Sequence, residues 1–200
     1  MKFLVNFLSA FRIFAAFAII PTLMFQMYWL TFVLYVLGAA SDWFDGYLAR
    51  KYNVCSKVGG VMDHIGDKLL VANTLILLAA MVPAWFIVVP VIIMIARELY
   101  ISGLREFMGT QKMEMPVPKA RFSLGKIKTT IQMIAIGAFL LFFAIGVTES
   151  LMAMGGRVMT WLFIGLPQIG IWGLWLALVA SLVSAAQYTR TFAEKLKKIK

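Results

Sequence analysis

"SDWFDGYLARKYNVCSKVGGVMDHIGDKL" runs from Ser41 to Leu69 and holds Asp42, Asp45, Asp63 and Asp67, all the aspartates of the chain. Asp42 and Asp45 are three residues apart, and Asp63 and Asp67 are four apart. Each spacing puts its pair on one face of a helix. Asp42 follows Tyr28 by 14 residues, about 21 Å of helical rise. Asp67 leaves 15 largely apolar residues before Pro83, about 22 Å. The two pairs therefore reach a similar depth, just inside one headgroup boundary of a bilayer. The connection around Asn53–Lys57 lets their faces meet.

Four carboxylates gathered at low dielectric repel one another, so either protons or cations must neutralise some of them. An all-oxygen donor set favours hard cations such as Mg²⁺, Mn²⁺ or Ca²⁺. Two divalent ions would balance the four charges. Zinc is disfavoured, because no Cys or His pair is present and His64 points about 100° away from Asp63 on a helix. His64 reads as an ordinary helix-face residue. Cys55, the single cysteine, rules out an internal disulfide.

The rest of the chain is membrane-like. Of its 200 residues, 62% are hydrophobic, against about 45–50% in soluble proteins. The first 25 residues lack a small-x-small cleavage site, and Arg12 interrupts their apolar run, so they read as a retained helix. Hydropathy predicts six segments, near 5–25, 28–49, 57–82, 84–107, 127–148 and 158–186. The fold class expected is an all-α integral membrane protein, one domain over residues 1–200. Its six transmembrane helices would carry a cytoplasm-facing carboxylate and metal cleft. Very short connections at Gln26–Met27 and Pro83–Ala84 predict antiparallel hairpins, and Pro90 predicts a kink in the fourth helix. Lys2, Arg50, Lys51, Lys57, the cluster from Arg105 to Lys128 and the tail Arg190–Lys200 all fall on one side; Arg157 alone falls on the other. By the positive-inside rule both termini are cytoplasmic. The net charge of +10 thus reads as topology and contact with anionic lipid, and no nucleic-acid partner is expected.

Gly46 and Gly59 lie one turn from Asp42 and Asp63. They allow close approach either of a facing helix or of a ligand. Arg50 can pair with a phosphate or anchor a helix end. Metals at headgroup depth suit chemistry on a phosphorylated lipid, where two ions clamp a pyrophosphate and steady a departing phosphate. A carboxylate outside the tightest coordination can take a proton from an attacking hydroxyl.

The pattern Asp42-x-x-Asp45-Gly46-x-x-Ala49-Arg50, then eight residues, then Gly59-x-x-x-Asp63-x-x-x-Asp67 resembles the signature of the CDP-alcohol phosphatidyltransferases at all eight positions. The resemblance implies transfer of a phosphatidyl group from CDP-diacylglycerol to an alcohol with release of CMP. It also implies six transmembrane helices. By position, Asp42, Asp45 and Asp63 would hold two divalent cations, Mg²⁺ or Mn²⁺. Asp67 would be the general base and also touch the second ion. Gly46, Arg50 and Ser56 would contact the CDP-lipid, Gly59 would allow its close approach, and Asn6 would lie beside the nucleotide and diphosphate. A bacterial inner membrane and a homodimer are implied too.

"IARELYISGLRE" (Ile95–Glu106) and "GKIKTTIQ" (Gly125–Gln132) resemble the branch that uses sn-glycerol 3-phosphate as acceptor, giving phosphatidylglycerophosphate. His64 and Gly66 stand where that branch commonly has Pro and Ala. An anionic acceptor needs cations near the metals. Arg97 and Arg105 share a broad face of the fourth helix, and Lys126 and Lys128 open the fifth at the same side. The competing expectations are topology anchoring for Arg105, Lys126 and Lys128, and structural ion pairs of the two arginines with Glu98 and Glu106. Two rival functions are another acceptor, such as inositol phosphate, serine or a lipid, and a cation transporter. A transporter site belongs near the midplane with paths to both faces, whereas these acids cluster toward one side.

Overall fold

In the computed structural model the described residues are 2–52, 57–110, 124–147 and 156–197. Within them, the side chains of residues 2–5, 42, 43, 45–52, 57, 58, 63, 124–126, 156–159, 195 and 197 are not described. The described backbone forms six helices: α1 (Lys2–Met24), α2 (Tyr28–Tyr52), α3 (Lys57–Met81), α4 (Trp85–Thr110), α5 (Leu124–Gly146) and α6 (Gly156–Lys197). No strand occurs among the described residues.

Among the described residues, five segments are long and apolar enough to cross a membrane: Asn6–Met24, Gly59–Met81, Trp85–Thr110, Ile127–Gly146 and Thr160–Glu194. The apolar part of α2 is shorter, Tyr28–Ser41, because the charged motif begins at Asp42. Large apolar side chains also face outward, among them Phe14, Phe17, Trp161, Trp172 and Leu176. Helices that are apolar all round suit a lipid surrounding. The molecule has the architecture of an integral membrane protein.

Side-chain pairings fix the helix directions. Thr22 meets Thr31, and Arg12 meets Ser41, so α1 and α2 are antiparallel. Arg12 lies against Gly66 and Asn73 bonds to Ala16, so α1 and α3 are parallel. Tyr35 bonds to the Met133 carbonyl and Tyr28 stacks on Phe143, making α2 and α5 antiparallel. Gly173 faces Ala135 and Gly146 faces Phe163, so α5 and α6 are antiparallel. Arg97 meets Ser184 and Phe107 meets Phe192, so α4 and α6 are parallel. Successive helices therefore alternate in direction. The starts of α1, α3 and α5 share one end with the finishes of α2, α4 and α6.

Each hairpin differs in how tightly it closes. At the first, Gln26 has φ 59°. Its N–H donates to Leu23 O and the Met27 N–H donates to Thr22 O, a Schellman cap built without glycine. Helices α1 and α2 then pack along their length. In contrast, α3 and α4 touch little, although Pro83 joins them directly. α1 sits between α2 and α3, which also touch little. The core is Ile19, Leu70, Leu75, Ile136, Leu140 and Leu174, all fully buried.

Pro90 lies inside a continuous α4 and is buried. Lacking an N–H, it leaves the carbonyl four residues earlier without its helical donor. That carbonyl belongs to Phe86, and Trp175 Nε1 of α6 donates to it at 3.1 Å. The last helix outruns its hydropathy. An end near residue 186 is expected, but α6 continues to Lys197. Its 42 residues span about 63 Å, twice the ~30 Å hydrocarbon core. Apolarity fades there while Ala, Glu and Lys keep helix propensity high. Tyr100 and Phe107 of α4 hold the extension through Thr189 and Phe192.

Candidate active site

Ser41 and Gly66 each sit one residue before a motif aspartate, and both pack on the same side chain. Arg12 of α1 is 1% exposed. Its Nε donates to Gly38 O and to Ser41 Oγ, both at 3.3 Å. On the other side, a Cβ added at Gly66 would lie 3.4 Å from Arg12 Cδ and 3.3 Å from Ile13 Cγ1. Arg12 thus joins α2 just before Asp42 to α3 just before Asp67. This brings the two halves of the motif to one level across α1.

Of the residues expected in the site, Asp67 is half-buried with its Oδ1 shut off from solvent. Gly59 is buried near the start of α3, and Asn6 is half-buried near the start of α1. His64 is exposed. The side chains of Asp42, Asp45, Asp63, Arg50 and Lys126 lie outside the described residues, as does all of Ser56; Gly46 falls in a stretch of α2 described only as backbone. The donor set can be judged from chemistry and placement: four carboxylates on two helix ends held level by Arg12, with Asp67 turned into a cavity. That set fits hard divalent cations.

The cavity measures about 240 Å³ and lies between α3, α4 and α5. Its polar end is formed by Asp67, Lys68, Glu98, Ser102, Lys128 and Thr129. Val71, Leu75, Met94 and Leu99 form its apolar end. Glu98 Oε2 accepts from Lys128 Nζ at 2.7 Å and from Arg97 Nη1 at 2.9 Å. Lys68 Nζ donates to Ser102 Oγ at 2.5 Å.

The four expected acceptor cations are not all in one place. Lys128 lines the cavity. Arg97 is buried behind Glu98, where its Nε donates to Ser181 O and its Nη2 to Ser184 Oγ. The ion-pair expectation for Glu98 is thus met by Arg97, with Lys128 as a second partner. Arg105 turns to α6, where Nη2 donates to the Tyr188 hydroxyl at 3.2 Å and the guanidinium lies 5.3 Å from the ring centroid. Glu106 is exposed. Sequence reasoning did not single out Lys68, and took Arg12 only as a break in an apolar run. The available signal was a cation deep in an apolar helix, which is costly in lipid without a task.

Comparison with known proteins agrees with the motif. The family profile described as CDP-alcohol phosphatidyltransferase matches residues 2–183. Three bacterial proteins called CDP-diacylglycerol–glycerol-3-phosphate 3-phosphatidyltransferase are similar. That of Sodalis glossinidius is 42% identical over 104 residues, covering 52% of this chain and 56% of the relative. That of Cereibacter sphaeroides is 39% identical over 136 residues, 66% of this chain and 58% of the relative. That of Escherichia coli K12 is 39% identical over 104 residues, 52% and 56%. The chain spans little more than half the length of these curated relatives. The eight-position motif and a family match running from α1 into α6 converge: the chain belongs to the CDP-alcohol phosphatidyltransferase family.

Proposed function

We propose that this protein transfers the phosphatidyl group of CDP-diacylglycerol to sn-glycerol 3-phosphate, giving phosphatidylglycerophosphate and CMP. The observation that carries this reading is the cavity shared by Asp67 and Lys128, at the level where Arg12 aligns the two halves of the family motif. Relatives named for this reaction support the acceptor.

In this reading Asp42, Asp45, Asp63 and Asp67 hold two divalent cations, Mg²⁺ or Mn²⁺, which supply charge neutralisation at the diphosphate. Asn6, Gly46, Arg50, Ser56 and Gly59 seat the CDP-lipid. Asp67 takes the proton of the acceptor hydroxyl as its oxygen forms a bond to the lipid-side phosphorus. The phosphorus–oxygen bond to CMP breaks, and CMP leaves with the electron pair. Arg97, Arg105, Lys126 and Lys128 furnish positive potential for the acceptor phosphate, and Lys128 lines the cavity itself. The chain acts as one domain crossing a bacterial inner membrane six times, both termini cytoplasmic, and pairs as a homodimer.

The test is purified protein with labelled CDP-diacylglycerol and a panel of alcohols, scored by CMP release. Release dependent on sn-glycerol 3-phosphate is expected. Preference for inositol phosphate, serine or free glycerol would replace this acceptor with another.

A further inference from the structure

We infer that Lys68 is a direct ligand of the acceptor's phosphate, and that the pocket next to Asp67 is charge-matched to a phosphate monoester. The inference rests on the transferase reading for the identity of the alcohol, but its geometry stands on the cavity itself. Lys68 directly follows Asp67 on α3, and both line the same polar end.

Two cations, Lys68 and Lys128, line that end, and Arg97 stands behind Glu98. Lys128 and Arg97 are both committed to Glu98, at 2.7 and 2.9 Å. Lys68 instead holds a neutral hydroxyl, Ser102 Oγ, and among the described residues no carboxylate lies within ion-pair distance of it. Among the described residues, then, the charge of this lysine in an apolar segment is met by a hydroxyl and not by a carboxylate, and a membrane penalises an unpaired charge. An incoming phosphate would compensate it by taking the place of the serine oxygen.

The charge count supports the same ligand. With Asp67 assigned to the metals, the two lining lysines Lys68 and Lys128, together with Arg97 paired to Glu98 from behind, stand against the single carboxylate of Glu98. Two positive charges remain. A phosphate monoester carries about −1.5 to −2 at pH 7. A free alcohol would leave those two charges unmatched. Glu98 therefore has a part as well: it holds Lys128 and Arg97 in place and lowers the pocket's charge from three to two. Because Lys68 and Asp67 both line the polar end of one cavity, a phosphate held by the first keeps the acceptor's hydroxyl beside the second.

The competing role for Lys68 is a simple tie between α3 and α4 through Ser102. The two roles separate by experiment. Binding of sn-glycerol 3-phosphate to the purified full chain in micelles with Mg²⁺ is measured by calorimetry, with glycerol as the unphosphorylated control. Lys68→Met should weaken binding about ten- to over a hundredfold, the range for a lost charge-assisted contact. Lys68→Arg should stay within about fivefold of wild type. Ser102→Ala breaks the tie but leaves the cation in place, so it should weaken binding far less than Lys68→Met does. Lys68→Gln, which keeps a donor for Ser102, serves if Lys68→Met does not insert, and should weaken binding like it. Wild-type affinity in both neutral variants would overturn the assignment. So would equal weakening by Ser102→Ala, which marks a tie, or equal binding of glycerol and its phosphate by wild type. If wild type binds the phosphate through Lys68 yet releases no CMP, the transferase reading fails and the site stands. If CMP release requires sn-glycerol 3-phosphate but Lys68→Gln binds it normally, the reading stands and Lys68 is excluded.

Discussion

Replacing Trp175 with Phe should cost more when residue 90 is proline than when it is alanine. The Phe86 carbonyl has no helical donor because Pro90 lacks an N–H, and Trp175 Nε1 supplies one at 3.1 Å. Trp175→Phe keeps an aromatic ring but leaves that carbonyl orphaned. Hydrogen bonds inside membrane proteins average about 0.6 kcal/mol and reach about 1.7. An acceptor with no alternative donor belongs at the upper end, so about 1–2 kcal/mol is expected from the bond. The edge contact with Trp85, at 6.4 Å, adds about 0.5–1.5 kcal/mol. Pro90→Ala returns an amide hydrogen to the same carbonyl. In that background Trp175→Phe should lose only the packing part. The double-mutant cycle should therefore show about 1–2 kcal/mol of coupling, the bond's own share. Reversible unfolding by SDS in mixed micelles, followed by far-UV circular dichroism, measures all four corners. Additivity within about 0.5 kcal/mol would refute the idea that the indole repairs the proline's gap.

Arg12→Gln should destabilise the protein by about 2 kcal/mol or more, because it removes a buried charged donor from two acceptors; the same SDS titration reads this, and turnover should fall with it. Asp67→Asn should abolish CMP release while CDP-diacylglycerol still binds in the presence of Mg²⁺; a near-normal rate would move the proton acceptor elsewhere. EDTA should eliminate turnover and added Mg²⁺ or Mn²⁺ should restore it; full activity in metal-stripped protein would remove the two-cation site.

The helices were legible because membrane spans are written in long apolar runs. All six predicted segments coincide with helices to within a few residues at most ends. The exception is α6, whose polar extension keeps helix propensity after hydropathy has ended. The motif spacing was readable too, since Asp42, Asp45, Asp63 and Asp67 need only helical periodicity to be paired. What could not be read was the partner of each cation. Periodicity places Arg97 and Arg105 on one face but does not reveal that α6 lies there with Ser184 and Tyr188. Nor does it show that α1 bridges the motif's halves through Arg12. Such contacts depend on which helices become neighbours, and short-range pattern carries no record of that.

Arg12 also bears on how the chain enters the bilayer. An arginine in a membrane helix costs up to about 2.5–3.5 kcal/mol during insertion, and α1 carries this one in before its partners are made. Its acceptors, Gly38 and Ser41, are synthesised 26 and 29 residues later, and Gly66 arrives after them. The first helix thus gains a settled home only as the second and third emerge. Leaving the insertion machinery should then be a joint event for α1, α2 and α3, so that the segment carrying the site is assembled as one piece before α4 is made.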